Sequence, residues 1–404
     1  MDRVGSVSSH LLAGAAAGGP LAATHRLYIG CYSEKQWWVA GSPGAGLYAF
    51  DFDDSTGQLA LTQVETSIVS PSWSVVDPAG RFLVCVTEKG PGDPVEDGRI
   101  CSYAISAADG SLALVSAQPT HGRGSNCVNL CDGVAVCTNF FEGSLTSFVL
   151  SPDGELGAPV VTSHPARAET GIPDRQTQAH PHDVFVEAGT ICIPDLGLDR
   201  LMRYSVDNAT AVLTALPDAT DTLVPGDGPR SLVQHPTLPV RYCICELSGN
   251  LHVLSTRGGG KLAALQTVKT YREDAPGGMD AHWPDRWAST LCISPDGQWL
   301  YAANRRQPGD ERPGAGDDIA IFKVSNDDGM LTLAEHYTHI GQKHTRNMRI
   351  IDSPAGPRWL LAAHQDSDCL AVYQLSRETG GIGKMVASHE IGSAGNVCVA
   401  PVRK

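Results

Sequence analysis

The sequence predicts an all-β chain, a single seven-bladed β-propeller whose ring is closed by its C-terminal strand. Three observations lead there. A four-strand pattern recurs along the chain. Glycine and proline are abundant (43 and 26 of 404 residues) while charged residues make up only 18%, a mixture that favours many short strands and turns over long helices. The last apolar segment has the register of a strand that the first repeat lacks.

The repeat is a short apolar strand, a turn, a second apolar strand ending on a polar residue, a strand with an aromatic residue, and a Leu-containing fourth strand. It is clearest over Ser289–His336, where "STLCI" leads through Ser294-Pro295-Asp296-Gly297 into "WLYAANRR", then "DIAIFKV" and "MLTLAEH". Five further copies follow the same order, and the opening "RLYIGCY … GLYAFDF … GQLAL" makes seven. The residues ending the second strands, Glu88, Asn139, Asp195, Glu246, Asn304 and Gln365, lie 51, 56, 51, 58 and 61 positions apart. Those gaps fit four-stranded blades with insertions. The opening copy has no innermost strand, and the C-terminal "GNVCVAP" supplies one, so that no long sheet edge is left exposed. Residues 26–404 are therefore expected to form the propeller, and residues 1–25, rich in Ala, Gly and Ser, a disordered leader.

Composition also limits function. A net charge of −14 argues against a nucleic-acid or anionic-lipid surface, and no run of 18 apolar residues is present to span a membrane. The twelve cysteines form no CxxC pair and mostly sit inside apolar strands, as buried thiols do in a reducing, cytoplasmic setting. No G-x-S-x-G or H-E-x-x-H occurs, which removes those hydrolase classes.

In a propeller the first strand of each blade starts, and the second ends, at the same mouth of the central channel. The unusual residues fall at those two places. Ser70-Pro71-Ser72, Gly124-Ser125-Asn126, His180-Pro181-His182, Gly228-Pro229-Arg230, Arg286 and Thr345-Arg346 open first strands. Glu88, Asn139, Asp195, Glu246, Asn304-Arg305 and His364-Gln365 end second strands. Ionisable groups thus converge on one funnel, the expected pocket of the fold.

At these same residues the sequence resembles the lactonase family of seven-bladed propellers, which contains bacterial 6-phosphogluconolactonases and the fungal 3-carboxy-cis,cis-muconate lactonizing enzyme. The matching stretches are "YIGCYS" (28–33), "RQTQAHPH" (175–182), "PDLGLDRLMRY" (194–204), "PGDGPRSLVQHP" (225–236), "CEL" (245–247) and "SPDGQWLYAANRR" (294–306). The resemblance implies a catalytic quartet of His182, Arg230, Glu246 and Arg305; His180, Arg175, Asp195, Glu88, Asn139 and Gln365, at or near the same mouth, are expected as further substrate contacts. No cofactor is expected, and no metal, because arginines share the mouth with the carboxylates; the expected substrate is an anionic, phosphorylated or carboxylated lactone.

Both branches of the family share the quartet. Two departures are Ser231 after Gly228-Pro229-Arg230, and His344-Thr345-Arg346 before the last blade; the loop Thr270–Trp287 resembles the muconate branch. Opening a lactone needs an activated water, a stabilised oxyanion and a proton for the leaving alkoxide. His182 is the expected base, oriented by Glu246, with the reverse assignment open. Arg230 and Arg305 suit anion recognition. Three other readings remain. One is a lactonizing cycloisomerase. Another is a Ca²⁺-dependent lactonase using the oxygen ring of Glu88, Asn139, Asp195, Glu246 and Asn304. The third is a non-catalytic binding propeller.

Overall fold

A computed structural model describes residues 23–90, 97–166, 171–187, 189–258, 261–271, 286–306, 317–338, 342–353 and 356–402; of Arg286 only the backbone is described. The expected leader lies almost wholly outside the described residues, as does most of the loop Thr270–Trp287.

Seven antiparallel sheets, each of four strands or more, follow one another along the chain. Blade 1 is built from both ends of the sequence: Ala394–Pro401 pairs with His25–Cys31, from His25 opposite Pro401 to Cys31 opposite Ala394. Blades 2 to 7 begin on Trp73–Val76, Ser125–Cys131, Phe185–Glu187, Pro229–Gln234, Arg286–Ile293 and Thr345–Asp352, which surround the axis. Blade 4 carries a short fifth strand, Asp221–Thr222, paired with Arg200–Val206.

The strands hold because each blade is apolar on both faces and packs between two neighbours. Seven buried clusters each span one pair of adjacent blades; Leu27, Phe50 and Phe52 of blade 1, for example, meet Trp359, Leu361 and Val372 of blade 7. Polar locks recur on the same seams. Tyr28, Tyr242 and Tyr301 donate their hydroxyls to the turn carbonyls of Gly110, Gly329 and Gly380 in the next blade, at 2.8–2.9 Å. Gly380 sits at φ +69, and a Cβ there would meet the Trp299 ring at 2.3 Å, so this turn requires glycine.

One irregularity decides where the site goes. At the funnel end of the innermost strands, the pairing register slips between Ser125 and Cys127, Pro229 and Ser231, Ala288 and Leu291, and Thr345 and Asn347. Each is a bulge, which re-aims the extra residue away from the ladder. The residues so turned are Asn126, Arg230, Ser289-Thr290 and Arg346.

Candidate active site

The funnel encloses a cavity of about 330 Å³ lined by Glu88, Asn126, Arg175, His180, His182, Glu246, Arg305, His344 and Arg346, with Trp37, Trp38, Phe140, Phe141 and Trp287 as an aromatic wall. Glu246 follows the second strand of blade 5, and its N–H is fixed to the Gly228 carbonyl at 2.8 Å. Three guanidiniums converge on its carboxylate. Arg175 bonds Oε1, while Arg230 and Arg305 reach Oε2 at 3.0 and 2.7 Å. Burial works to raise this carboxyl, but Arg305, Arg175 and Arg230 outweigh it and hold it well below the usual carboxylate range.

The arginines are themselves held. Arg305 donates to His344 Nε2 at 3.0 Å, and His344 Nδ1 faces Asp366 Oδ2 at 3.1 Å. Since Nε2 accepts, Nδ1 carries the proton and donates to the carboxylate. Burial takes His344 down to about 4, so it stays neutral at pH 7. Trp287 lies between Arg175 and Arg305, 4.3 and 5.4 Å from their guanidinium carbons. Arg230 also donates to the Ser289 carbonyl; it stands against Glu246 and is not among the residues lining the cavity.

His182 is half-buried on the cavity wall. Burial pushes its imidazole well below 6.5, and Arg230 adds repulsion, so the ring is neutral at pH 7. The backbone N–H of His182 donates to the Pro194 carbonyl at 2.9 Å, and the described hydrogen bond of its ring comes from Asn126. The Asn126 amide nitrogen donates to the His182 carbonyl at 3.0 Å and to Nδ1 at 3.3 Å, while its oxygen accepts from Thr138 at 2.8 Å. That network fixes the amide and makes Nδ1 an acceptor, which leaves the ring proton on Nε2. The orienting partner expected from sequence, Glu246, makes no hydrogen bond to His182. Asn126 does that work from its bulge.

Of the ten expected site residues, seven line the cavity or brace it through Glu246: Glu88, His182, Glu246, Arg305, Arg175, Arg230 and His180, the last stacked on Phe140 at 4.6 Å. Asn139, Asp195 and Gln365 correct the expectation, because they are fully buried and point into the scaffold. Asn139 bonds Ser125, Ser144 and Thr146. Asp195 pairs with His164 at 2.6 Å and accepts the N–H of His180 and Leu198. Gln365 donates to the Trp38 carbonyl. In the oxygen ring of the Ca²⁺ alternative, Asn304 is already occupied by Thr270 and Asp318. Asp227, Cys245 and His252 do gather within 4.8 Å. Asp227 is already taken there by His252, Asn250 and the Val224 N–H, and burial raises the Cys245 thiol well above its usual value.

Sequence reasoning missed Tyr32, His344 and the aromatic wall. Trp38, Phe141 and Tyr32 form a small apolar cluster of their own, and only their meeting in space marks them.

Fold and site together define a seven-bladed propeller with a funnel lined by arginines and histidines. Residues 26–401 match the family described as Lactonase, 7-bladed beta-propeller, and the chain belongs to that family. It is 28% identical over 366 residues to the 6-phosphogluconolactonase of Formosa agariphila, covering 89% of this chain and 95% of that protein. It is 25% identical to the 6-phosphogluconolactonase of Bacillus subtilis, over 87% of this chain and 92% of the other. The periplasmic gluconolactonase of Pseudomonas aeruginosa superposes with a TM-score of 0.80 at 26% identity, covering 94% and 99% of the two chains.

Proposed function

We propose that this chain is a metal-independent hydrolase that opens an anionic sugar lactone, a 6-phosphogluconolactone-type substrate. The observation that carries this reading is the convergence of Arg175, Arg230 and Arg305 on Glu246 at the floor of the cavity. Three cations on one buried carboxylate leave positive charge over, while Arg346, a further cavity-lining guanidinium, is paired with Glu88. Guanidiniums so placed hold a phosphate or carboxylate and meet the oxyanion that forms on the lactone carbonyl. Arg175 and Arg305 border the cavity and do both. Arg230 acts through Glu246 as a positioning residue. His182 offers Nε2–H to the carbonyl or ring oxygen.

Relatives named 6-phosphogluconolactonase favour hydrolysis over cyclisation. Buried thiols at eleven of the twelve cysteines fit a reducing compartment, the cytoplasm; among the described residues no helix is long and apolar enough to cross a membrane. A paired assay tests the reading: purified protein, treated with chelator, is expected to hydrolyse 6-phosphogluconolactone and to leave 3-carboxy-cis,cis-muconate unchanged. Turnover of the muconate alone would make it a cycloisomerase.

A further inference from the structure

The hydrolytic reading leaves one role without an occupant, the base that takes the proton of the attacking water. Glu246 is a poor candidate, because three guanidiniums suppress its basicity. His182 presents a proton on Nε2 and has Nδ1 occupied by Asn126. His344 is committed on both nitrogens, to Arg305 and Asp366.

A second carboxylate remains in the funnel. Glu88 follows the second strand of blade 2, its backbone N–H held by the Ser70 carbonyl at 3.1 Å. Its Oε2 accepts the Tyr32 hydroxyl at 2.5 Å, and Arg346 reaches the hydroxyl at 2.9 Å and the same Oε2 at 3.4 Å. Tyr32 is completely buried beside Trp38 and Val39, so the carboxylate is held from behind in one orientation. Oε1 is different. It has no hydrogen-bond partner among the described residues, and Glu88 is a cavity-lining residue. Glu88 thus carries one guanidinium contact against the three of Glu246, with one oxygen anchored and the other without a partner among the described residues.

We infer that Glu88 is the general base of the reaction and that Tyr32 and Arg346 position it. The inference rests on the hydrolase reading. Glu88 Oε1 takes a proton from water as the water oxygen bonds to the lactone carbonyl carbon. The carbonyl π pair moves onto its oxygen, which the arginines and His182 Nε2–H stabilise. When that pair returns, the bond from carbon to ring oxygen breaks, and the departing alkoxide takes the proton back from Glu88. One water is consumed, the carboxylate is regenerated and the product is the open hydroxy acid, so the balance needs no other reactant.

The test compares wild type with Glu88→Gln, Glu88→Asp and Glu88→Ala on 6-phosphogluconolactone, with melting temperatures measured alongside. Glu88→Gln keeps the shape and the hydrogen bond from Tyr32, so kcat is expected to fall by about 10²–10⁴-fold while KM changes by less than about threefold. Glu88→Asp should recover part of the loss, and formate added to Glu88→Ala should raise kcat in proportion to its concentration. A merely structural carboxylate would not answer to formate. Wild-type kcat in Glu88→Gln, or a loss confined to KM, overturns the inference and leaves the hydrolase reading standing. A wild-type protein that opens no lactone overturns both.

Discussion

Two glutamates in one funnel differ because of what touches them. Glu246 is ringed by Arg175, Arg230 and Arg305 and organises them; Glu88 meets one arginine and a tyrosine. Arg305 is the arginine with most to lose. It spans Glu246 Oε2 and His344 Nε2 while facing the cavity. Arg305→Ala is expected to cut kcat by about 10²-fold, as for one lost oxyanion donor, and to raise KM. Arg305→Lys should restore little, since a single ammonium cannot reproduce a planar fork bonded at two ends. The fold should survive both changes, with Arg175 and Arg230 still on Glu246. Steady-state kinetics with melting curves check this, and unaltered kcat in Arg305→Ala would remove Arg305 from the chemistry. That His182, Arg230, Glu246 and Arg305 share one mouth was legible in the sequence, because strand order dictates it. Which way each side chain points was not. Asn139, Asp195 and Gln365 occupy the same formal position as Glu88 and Glu246, yet their partners are Thr146, His164 and the Trp38 carbonyl, which hold them in the scaffold.

Among the elements, the bulges matter most for function and the closing strand most for stability. A bulge depends on how a strand pairs with its neighbour, so nothing in "GPRSL" by itself announces that Arg230 leaves the ladder. The closing strand was legible, because "GNVCVAP" has the same apolar register as other innermost strands. Its removal should be severe. Residues 394–401 supply Ala394, Val397, Cys398 and Ala400 to the clusters on both sides of blade 1, and Asn396 accepts from the Ser74 N–H and hydroxyl. A chain ending at residue 390 exposes these clusters and a free sheet edge. It is expected to melt far below the full chain or to aggregate. A melting temperature within about 2 °C of wild type, the size of a surface change, would contradict the closure.

At the scale of the molecule, blade packing and site chemistry are separated. Seven apolar seams carry the ring, and the funnel is polar, bulged and set on strand ends. The chain carries a net charge of −14, whereas the funnel gathers Arg175, Arg230, Arg305 and Arg346 at one mouth. Such a field draws a small anion inward and discriminates by charge. The sequence made this contrast visible as arginines at strand ends in an acidic chain. Strand order alone did not reveal that His344 and Asp366, which flank the open end of the paired strands Thr345–Asp352 and Arg358–His364, brace the pocket, since that depends on where their side chains point. The central claim is therefore a claim about charge at the reacting lactone. The measurement that tests it most directly is kcat/KM for 6-phosphogluconolactone relative to the same lactone without its phosphate. One or two charged hydrogen bonds, at about 1.5–3 kcal/mol each, predict a preference of at least about 10-fold for the phosphorylated substrate. Equal values for the two, or a preference for the uncharged lactone, would contradict it.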